Sequence, residues 1–245
     1  DVDLFDKLAQ EAMGRIREFR PQELSNLAWS YAKLSVPSRI ATELLHGVDV
    51  EAAAKFHHLE PQHIANVAWA LATCFAGGAR FRDVVARKAT PRLRAFKPQE
   101  LSNLAWSLAK TTARDPELPG ALASEASGRI GHFKAQELSN LAWAFATLGI
   151  SADGLFEALA KESVVSSFSF TPQEIANLMW AFATVCVSDA SMFHALSQRA
   201  LCCADEFKPQ EISSLVWACA TLAAEVGPLL PSMARLATQR SSHFE

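Results

Sequence analysis

The sequence predicts an all-α solenoid built from about six helix-turn-helix repeats with a 37-residue period. Its six tryptophans stand 40, 37, 37, 37 and 37 residues apart, and each lies in the same block, such as FKPQELSNLAW ending at Trp106. Half of the residues are hydrophobic and 20% are charged, which is enough apolar surface for a continuous core. Such a period is typical of stacked supersecondary units, so we predict one continuous solenoid over residues 1–245 with its function on an extended surface.

Each repeat is predicted to contain two helices. The recurring block that contains the tryptophan is the first helix. The second half of each repeat is less regular but amphipathic, as in residues 155–162. Residues 1–18 resemble such a second half and are predicted to be the second helix of a preceding repeat. The repeats are predicted to start near residues 19, 59, 96, 133, 170 and 207.

The start of each first helix is predicted by its capping residues. In the fifth repeat Thr171 is a good N-cap, Pro172 suits the first helical position, and Glu174 can reach back as the partner of a capping box. In most other repeats the cap residue is Lys or Arg, a weaker cap, while the glutamate remains. Capping therefore explains the glutamates, and no catalytic role is assigned to them.

A narrow polar face remains on each first helix, formed in the first repeat by Gln22, Asn26, Ser30 and Lys33. Side-chain amides donate and accept hydrogen bonds and so suit the edges of unstacked bases. Glutamine and asparagine recur at the positions of Gln22 and Asn26 in the other repeats with almost no variation. For these two rows of side chains we therefore favour the alternative, in which their amides hydrogen-bond from repeat to repeat and tie the repeats together. The residues predicted to contact RNA are Asn26, Ser30, Lys33, Asn66, Thr73, Asn103, Ser107, Lys110, Asn140, Thr147, Asn177 and Thr184.

The tryptophans have two possible roles. Aromatic side chains stack bases in proteins that bind single strands. Trp29, however, is assigned to an apolar stripe with Ser25 and Ala32. Packing between neighbouring repeats is therefore the favoured interpretation of all six rings.

Charge is unevenly distributed along the chain. The net charge of −3 and the pI of about 6.2 differ from those of a strong nonspecific nucleic-acid binder. Residues 80–100 nevertheless carry seven cations against two carboxylates, and such a cluster either binds phosphates or forms a solvated helix face. The predicted phosphate-binding residues are Arg80, Arg82, Arg87, Lys88, Arg92, Arg94 and Lys97.

Other classes of function find little support in the sequence. His57, His58 and His63 lack a carboxylate or thiol at metal-ligand spacing, and no Gly-rich phosphate loop or nucleophile–base pair is recognisable. We therefore expect no enzyme, metal, cofactor or small-molecule substrate. The five cysteines are odd in number and suggest reduced thiols, and no apolar run is long enough for a membrane span.

The recurring block Pro-Gln-Glu-Leu-Ser-Asn-Leu-Ala-Trp, as at residues 98–106, resembles the repeat of octotricopeptide-repeat proteins and the helical repeats of RAP-domain proteins. The resemblance covers essentially the whole chain. It implies a right-handed superhelix with its first helices on the concave, RNA-facing side, and a soluble protein of the mitochondrion or chloroplast. The expected function is binding of single-stranded RNA for its stability, processing or translation. The alternative is a scaffold subunit that holds proteins or RNA in a large organellar assembly such as a ribosome.

Overall fold

The structure, a computed structural model, describes residues 2–35, 38–74, 78–111, 117–222 and 227–239. Within these ranges the regular elements are α-helices and short 3-10 helices, and no strand occurs. The predicted all-α solenoid of helical repeats is therefore confirmed. The chain forms two compact units, residues 1–122 and residues 123–245. One continuous solenoid over residues 1–245 and the right-handed superhelix both stay predictions.

The first unit consists of two neighbouring layers of helices. The first helices of its repeats are α2 (Pro21–Leu34), α4 (Pro61–Thr73) and α6 (Pro98–Lys110). The second helices are α1 (Val2–Gly14), α3 (Arg39–Ala54) and α5 (Ala79–Lys88), and α7 (Glu117–Ser127) contains the boundary between the units. In one layer α4 packs between α2 and α6, and in the other α3 packs between α1 and α5. Within this unit, the first helices of successive repeats therefore lie side by side.

The second unit repeats this arrangement. Its first helices are α8 (Ala135–Thr147), α10 (Pro172–Thr184) and α12 (Pro209–Thr221). Its second helices are α9 (Asp153–Val165), α11 (Ala190–Cys202) and α13 (Leu229–Gln239). Here α10 packs between α8 and α12, and α11 packs between α9 and α13. Phe145, Phe156 and Phe182 are completely buried between the layers.

Every first helix begins at a turn capped by the side chain of its third residue. A carboxylate oxygen accepts a hydrogen bond of 2.7 or 2.8 Å from the backbone N–H of the N-cap residue in five helices, at Glu23, Glu100, Glu137, Glu174 and Glu211. In α4, His63 Nδ1 accepts the equivalent bond at 3.2 Å. The predicted capping box of Thr171 and Glu174 is confirmed. Because a carboxylate is stabilised at the positive end of a helix, this residue fixes the start of each first helix.

A short 3-10 helix precedes each first helix, which the sequence analysis did not predict. The six are Ile16–Glu18, Phe56–His58, Thr90–Ala95, Ile130–His132, Ser167–Ser169 and Ala204–Glu206. An extended residue follows each of them, and in most repeats its side chain is buried, as for Phe96, Phe170 and Phe207. This turn brings the chain from the second-helix layer back to the first-helix layer.

Cations of the second helices hold these turns in place. Lys55 Nζ donates to the backbone oxygens of Arg17 and Phe19, both at 2.8 Å. In the second unit, Arg199 Nε donates to the backbone oxygen of Phe170 at 3.0 Å. The end of a second helix is thereby tied to the turn that precedes the first helix of the same repeat. A cation in this position satisfies carbonyls that the short turn leaves unpaired.

Candidate nucleic-acid interface

Each unit presents one continuous polar and aromatic surface on its layer of first helices. It is formed by the second, sixth, ninth and thirteenth positions of those helices, which in α2 are Gln22, Asn26, Trp29 and Lys33. Residues three or four apart share one side of a helix, and at these positions every side chain is exposed or half-buried. We call this surface the first-helix face.

Most of the residues predicted to contact RNA lie on the first-helix face. Those of the first unit are Asn26, Lys33, Asn66, Thr73, Asn103 and Lys110. Those of the second unit are Asn140, Thr147, Asn177 and Thr184. Because neighbouring first helices pack side by side within each unit, these residues form rows across it. These residues therefore share one surface in each unit, and RNA binding by their side chains stays a prediction.

The tryptophans, at the ninth position, also lie on the first-helix face. Along each helix they come between the glutamine and asparagine of the second and sixth positions and the lysine or threonine of the thirteenth. The rings of Trp69 and Trp106 are 6.3 Å apart between centroids, and those of Trp180 and Trp217 are 6.4 Å apart. Packing between neighbouring repeats is therefore confirmed for these pairs. Their assignment to a buried apolar stripe was wrong, since Trp29 is 44% and Trp217 45% exposed and the other four are half-buried. The indoles are open to a partner as well as in contact with each other.

The serines of the tenth position do not belong to this face. Ser107 is buried, and its hydroxyl donates to the backbone oxygen of Asn103 at 2.6 Å. Ser30 is half-buried and donates to the backbone oxygen of Asn26 at 2.7 Å. Successive residues are about 100° apart around a helix, so the residue after the tryptophan turns toward the neighbouring helix. Burial disfavours contact of Ser107 with RNA, and the Ser30 hydroxyl already has a partner, so RNA contact by these two serines stays a prediction with little structural support.

The residues of the thirteenth position stay close to the indoles. Thr73 and Thr184 donate their hydroxyl hydrogens to the backbone oxygens of Trp69 and Trp180, at 2.8 and 2.9 Å. Lys110 Nζ lies 5.4 Å from the centre of the Trp106 ring, within the range of a cation–π interaction. This row therefore supplies polar groups beside each exposed ring.

The predicted phosphate-binding cluster is spread over more than one surface. Most of its members lie in the second-helix layer: Arg80, Arg82, Arg87 and Lys88 on α5. Arg94 lies in the last turn of the 3-10 helix before α6, and Lys97 is the N-cap of α6, so these two lie where the first-helix face begins. The cluster is thus not one patch facing a single RNA strand.

Arg92, one of the predicted phosphate-binding residues, contacts the turn before α4. Its guanidinium donates to the backbone oxygen of Leu59 at 2.5 Å and to that of Phe56 at 3.3 Å, and it lies 5.5 Å from the centre of the Phe56 ring. The side chain is half-buried, and it occupies the position that Lys55 holds in the preceding repeat. Its guanidinium already donates to two carbonyl oxygens, which favours a structural role, and contact of Arg92 with phosphate stays a prediction.

A set of cations lies at the edge of the first-helix face, and of these only Lys97 was predicted from the sequence to bind phosphate. The N-cap residue of a first helix is a cation in four repeats, at Arg20, Lys97, Lys134 and Lys208, and all four are exposed. Arg20 is ion-paired with Glu23 at 2.6 Å. The N-terminus of a helix favours anions, so a cation there adds to an existing positive potential. The 37-residue period could have revealed this row, because the same position recurs beside each Pro-Gln-Glu.

Among the described residues, no three His, Cys, Asp or Glu side chains lie close enough to hold a metal ion. In the same part of the chain, no helix is long and apolar enough to span a membrane. All five cysteines are free. Cys203 and Cys219 are buried, and burial raises the pKa of the Cys219 thiol to about 11, whereas Cys186 and Cys202 are exposed.

Comparison with known proteins identifies the family of the chain. No curated protein matches the sequence. A family model described as RNA-editing substrate-binding complex 6 protein matches residues 49–244, which is most of the chain and includes parts of both units. Neither octotricopeptide-repeat nor RAP-domain proteins are specifically indicated by this match. The chain belongs to the RNA-editing substrate-binding complex 6 protein family.

Proposed function

We propose that the protein binds single-stranded RNA on the first-helix face and acts as an RNA-binding subunit of an RNA-editing complex. The observation that carries this proposal is the row of partly exposed tryptophans flanked by amides and cations on one surface. The family description supports it, because an RNA-editing substrate-binding complex has RNA as its substrate. The relationship to octotricopeptide repeats and the location in a mitochondrion or chloroplast are part of the same proposal.

The indoles would provide the stacking surfaces for bases. The ring centroids of Trp69 and Trp106 are 6.3 Å apart, and those of Trp180 and Trp217 are 6.4 Å apart. These distances are about twice the roughly 3.4 Å rise per nucleotide of a stacked strand. A strand that follows the face would therefore be unstacked, with about one nucleotide for each repeat. Base–aromatic stacking contributes about 1–3 kcal/mol per base and tolerates different bases.

The polar rows would hold the strand in register with the indoles. Glutamine and asparagine side chains can pair with either donors or acceptors on a base edge. The N-cap cations, such as Lys97 and Lys208, would contact phosphates at the edge of the face. Since the chain as a whole has a net charge of −3, the electrostatic contribution comes from these few residues, and nonspecific affinity for nucleic acid should be modest.

A scaffold role has separate support in the second unit. Val165 and Phe168 are 80% and 79% exposed, at the end of α9 and in the 3-10 helix that follows, so they are not on a first helix. With Val164, which is 37% exposed, they form a run of exposed apolar residues, and contiguous exposed apolar patches are typical of contacts with other proteins. We propose that the chain holds RNA on its first-helix face and protein subunits elsewhere, and we assign it no catalytic role.

Fluorescence anisotropy with a labelled uridylate dodecamer tests the RNA proposal. The full chain is expected to bind the single strand with an affinity that decreases as salt increases, and to bind a duplex of the same length much more weakly. Duplex RNA hides its base faces, so it cannot use the indoles. Absence of binding to single-stranded uridylate, adenylate and mixed-sequence dodecamers at low salt would contradict the proposal and leave the scaffold role.

A further inference from the structure

A polar pocket lies in the second unit between the N-terminal halves of α10 and α12. It is open to solvent on one side and has a cavity volume of about 160 Å³. The residues that line it include two from α10, Gln173 and Asn177, and two from α12, Gln210 and Ser214. Pockets for whole small-molecule ligands typically measure about 300–1,000 Å³, so this smaller space suits a single base, with the attached sugar and phosphate at its open side.

The pocket exists where the asparagine row is interrupted. At the sixth position of the first helix, five repeats have asparagine and the last has Ser214. Between α8 and α10 the corresponding residues are Asn140 and Asn177, two full amides. Between α10 and α12 the shorter Ser214 turns its hydroxyl to the backbone oxygen of Gln210, at 3.1 Å, and leaves space in front of Asn177.

The groups around this space match the parts of a nucleotide. The amides of Gln173, Asn177 and Gln210 offer donors and acceptors to the edge of a base. Lys208 lines the same pocket at the N-terminus of α12, where the helix favours an anion such as a phosphate. Its neighbour Glu211 accepts a hydrogen bond from the backbone N–H of Lys208 at 2.8 Å, so one carboxylate oxygen is already engaged.

An aromatic pair adjoins the pocket along the same groove. Trp180 and Trp217 lie one helical turn beyond Asn177 and Ser214, on the same faces of α10 and α12. Their centroids are 6.4 Å apart, and Trp217 is 45% exposed. A base in the pocket could therefore be followed along the strand by one that stacks on an indole.

Building on the proposed RNA binding, we infer that this pocket is a nucleotide subsite that takes one base of single-stranded RNA between the amides and its phosphate at Lys208. The other interfaces between first helices carry an asparagine at the position of Ser214. This subsite therefore gives the second unit a place where one base is held in a pocket, in addition to stacking on the tryptophans. It fixes the register of the strand.

The substitution Ser214→Asn tests the subsite by filling it with the side chain that the other repeats carry. The fold should tolerate it, because five repeats already have asparagine there. The matched control is Ser213→Asn, which adds the same side chain at the adjacent, exposed position of α12 outside the pocket. Far-UV circular dichroism of both variants checks that they fold as the wild type does.

Binding is measured by anisotropy with a uridylate dodecamer and with the same dodecamer lacking its bases. We expect Ser214→Asn to weaken binding of the uridylate strand about five- to tenfold, as loss of one or two hydrogen bonds would. Ser213→Asn should bind like the wild type, and both variants should match the wild type on the abasic strand. Equal uridylate affinity of Ser214→Asn and wild type overturns the subsite alone, whereas absence of any wild-type binding overturns the proposed function with it.

Discussion

Replacement of Arg92 by alanine should destabilise the first unit without weakening RNA binding. The guanidinium makes one short bond to the Leu59 oxygen at 2.5 Å and one long bond to the Phe56 oxygen at 3.3 Å. Hydrogen bonds to charged groups contribute about 1.5–3 kcal/mol, and a partly exposed cation–π contact about 0.5–1 kcal/mol. Because the second bond is long and the side chain is half-buried, we expect the free energy of unfolding to decrease by about 2–4 kcal/mol.

Two further substitutions show whether the effect comes from the carbonyl contacts. Arg87→Ala removes the same charge from an exposed position on α5 and should change the free energy of unfolding by less than about 0.5 kcal/mol. Arg92→Lys should recover much of the lost free energy of unfolding, because Lys55 in the preceding repeat donates hydrogen bonds to two backbone carbonyl oxygens, both at 2.8 Å.

Urea unfolding measures these differences, and hydrogen exchange of the Leu59 amide localises them. Repeat arrays can depart from two-state unfolding, so the local measurement is needed beside the global one. Equal stability of the Arg92→Ala and Arg87→Ala proteins would refute the structural role. A loss of RNA affinity in folded Arg92→Ala protein would instead support the original assignment of this residue to phosphate binding.

Three further predictions concern the first-helix face and the thiols. Trp217→Ala should weaken binding of a uridylate dodecamer about tenfold, by loss of one stacked base, and an unchanged dissociation constant would contradict this. Replacing Lys97 and Lys208 together by glutamine should reduce the slope of log K against log salt by about 1.4, or about 0.7 for each lost phosphate contact; an unchanged slope would exclude both contacts. The pKa of Cys219 is raised to about 11 from 9.0, so between these values the unfolded chain binds fewer protons and stability should decrease as pH increases. Urea midpoints of the wild type and Cys219→Ala should diverge in that window, and parallel curves would contradict the prediction. The exposed Cys186 and Cys202 should react with a thiol reagent before the buried Cys219.

The fold was predictable because its main determinants recur at a fixed period. The glutamate at the third position and the apolar residue at the fourth define the start of each first helix without reference to tertiary structure. The 3-10 helices were not predictable in the same way. Their sequences, such as FHH at residues 56–58 and ADE at residues 204–206, share no composition, and contacts such as those of Lys55 hold them in place.

The candidate site was predicted in part, and its errors have a geometric cause. Successive residues are about 100° apart around the helix axis. The tryptophan at the ninth position is therefore only about 20° around the axis from the glutamine at the second position, and about 40° from the lysine or threonine at the thirteenth. A full helical projection would therefore have placed Trp29 on the polar face and Ser30 at its margin. The burial of Ser107 and the carbonyl contacts of Arg92 depend on neighbouring repeats, which no single helix encodes.

Photo-crosslinking of a 4-thiouridine dodecamer to the full chain, with mass-spectrometric mapping of the modified residues, tests the central claim most directly. The account predicts crosslinks on the first helices, concentrated at tryptophans such as Trp106, Trp180 and Trp217 and lost in the presence of excess unlabelled single strand. Crosslinks confined to the second helices, such as α5 and its arginines, would contradict RNA binding on the first-helix face.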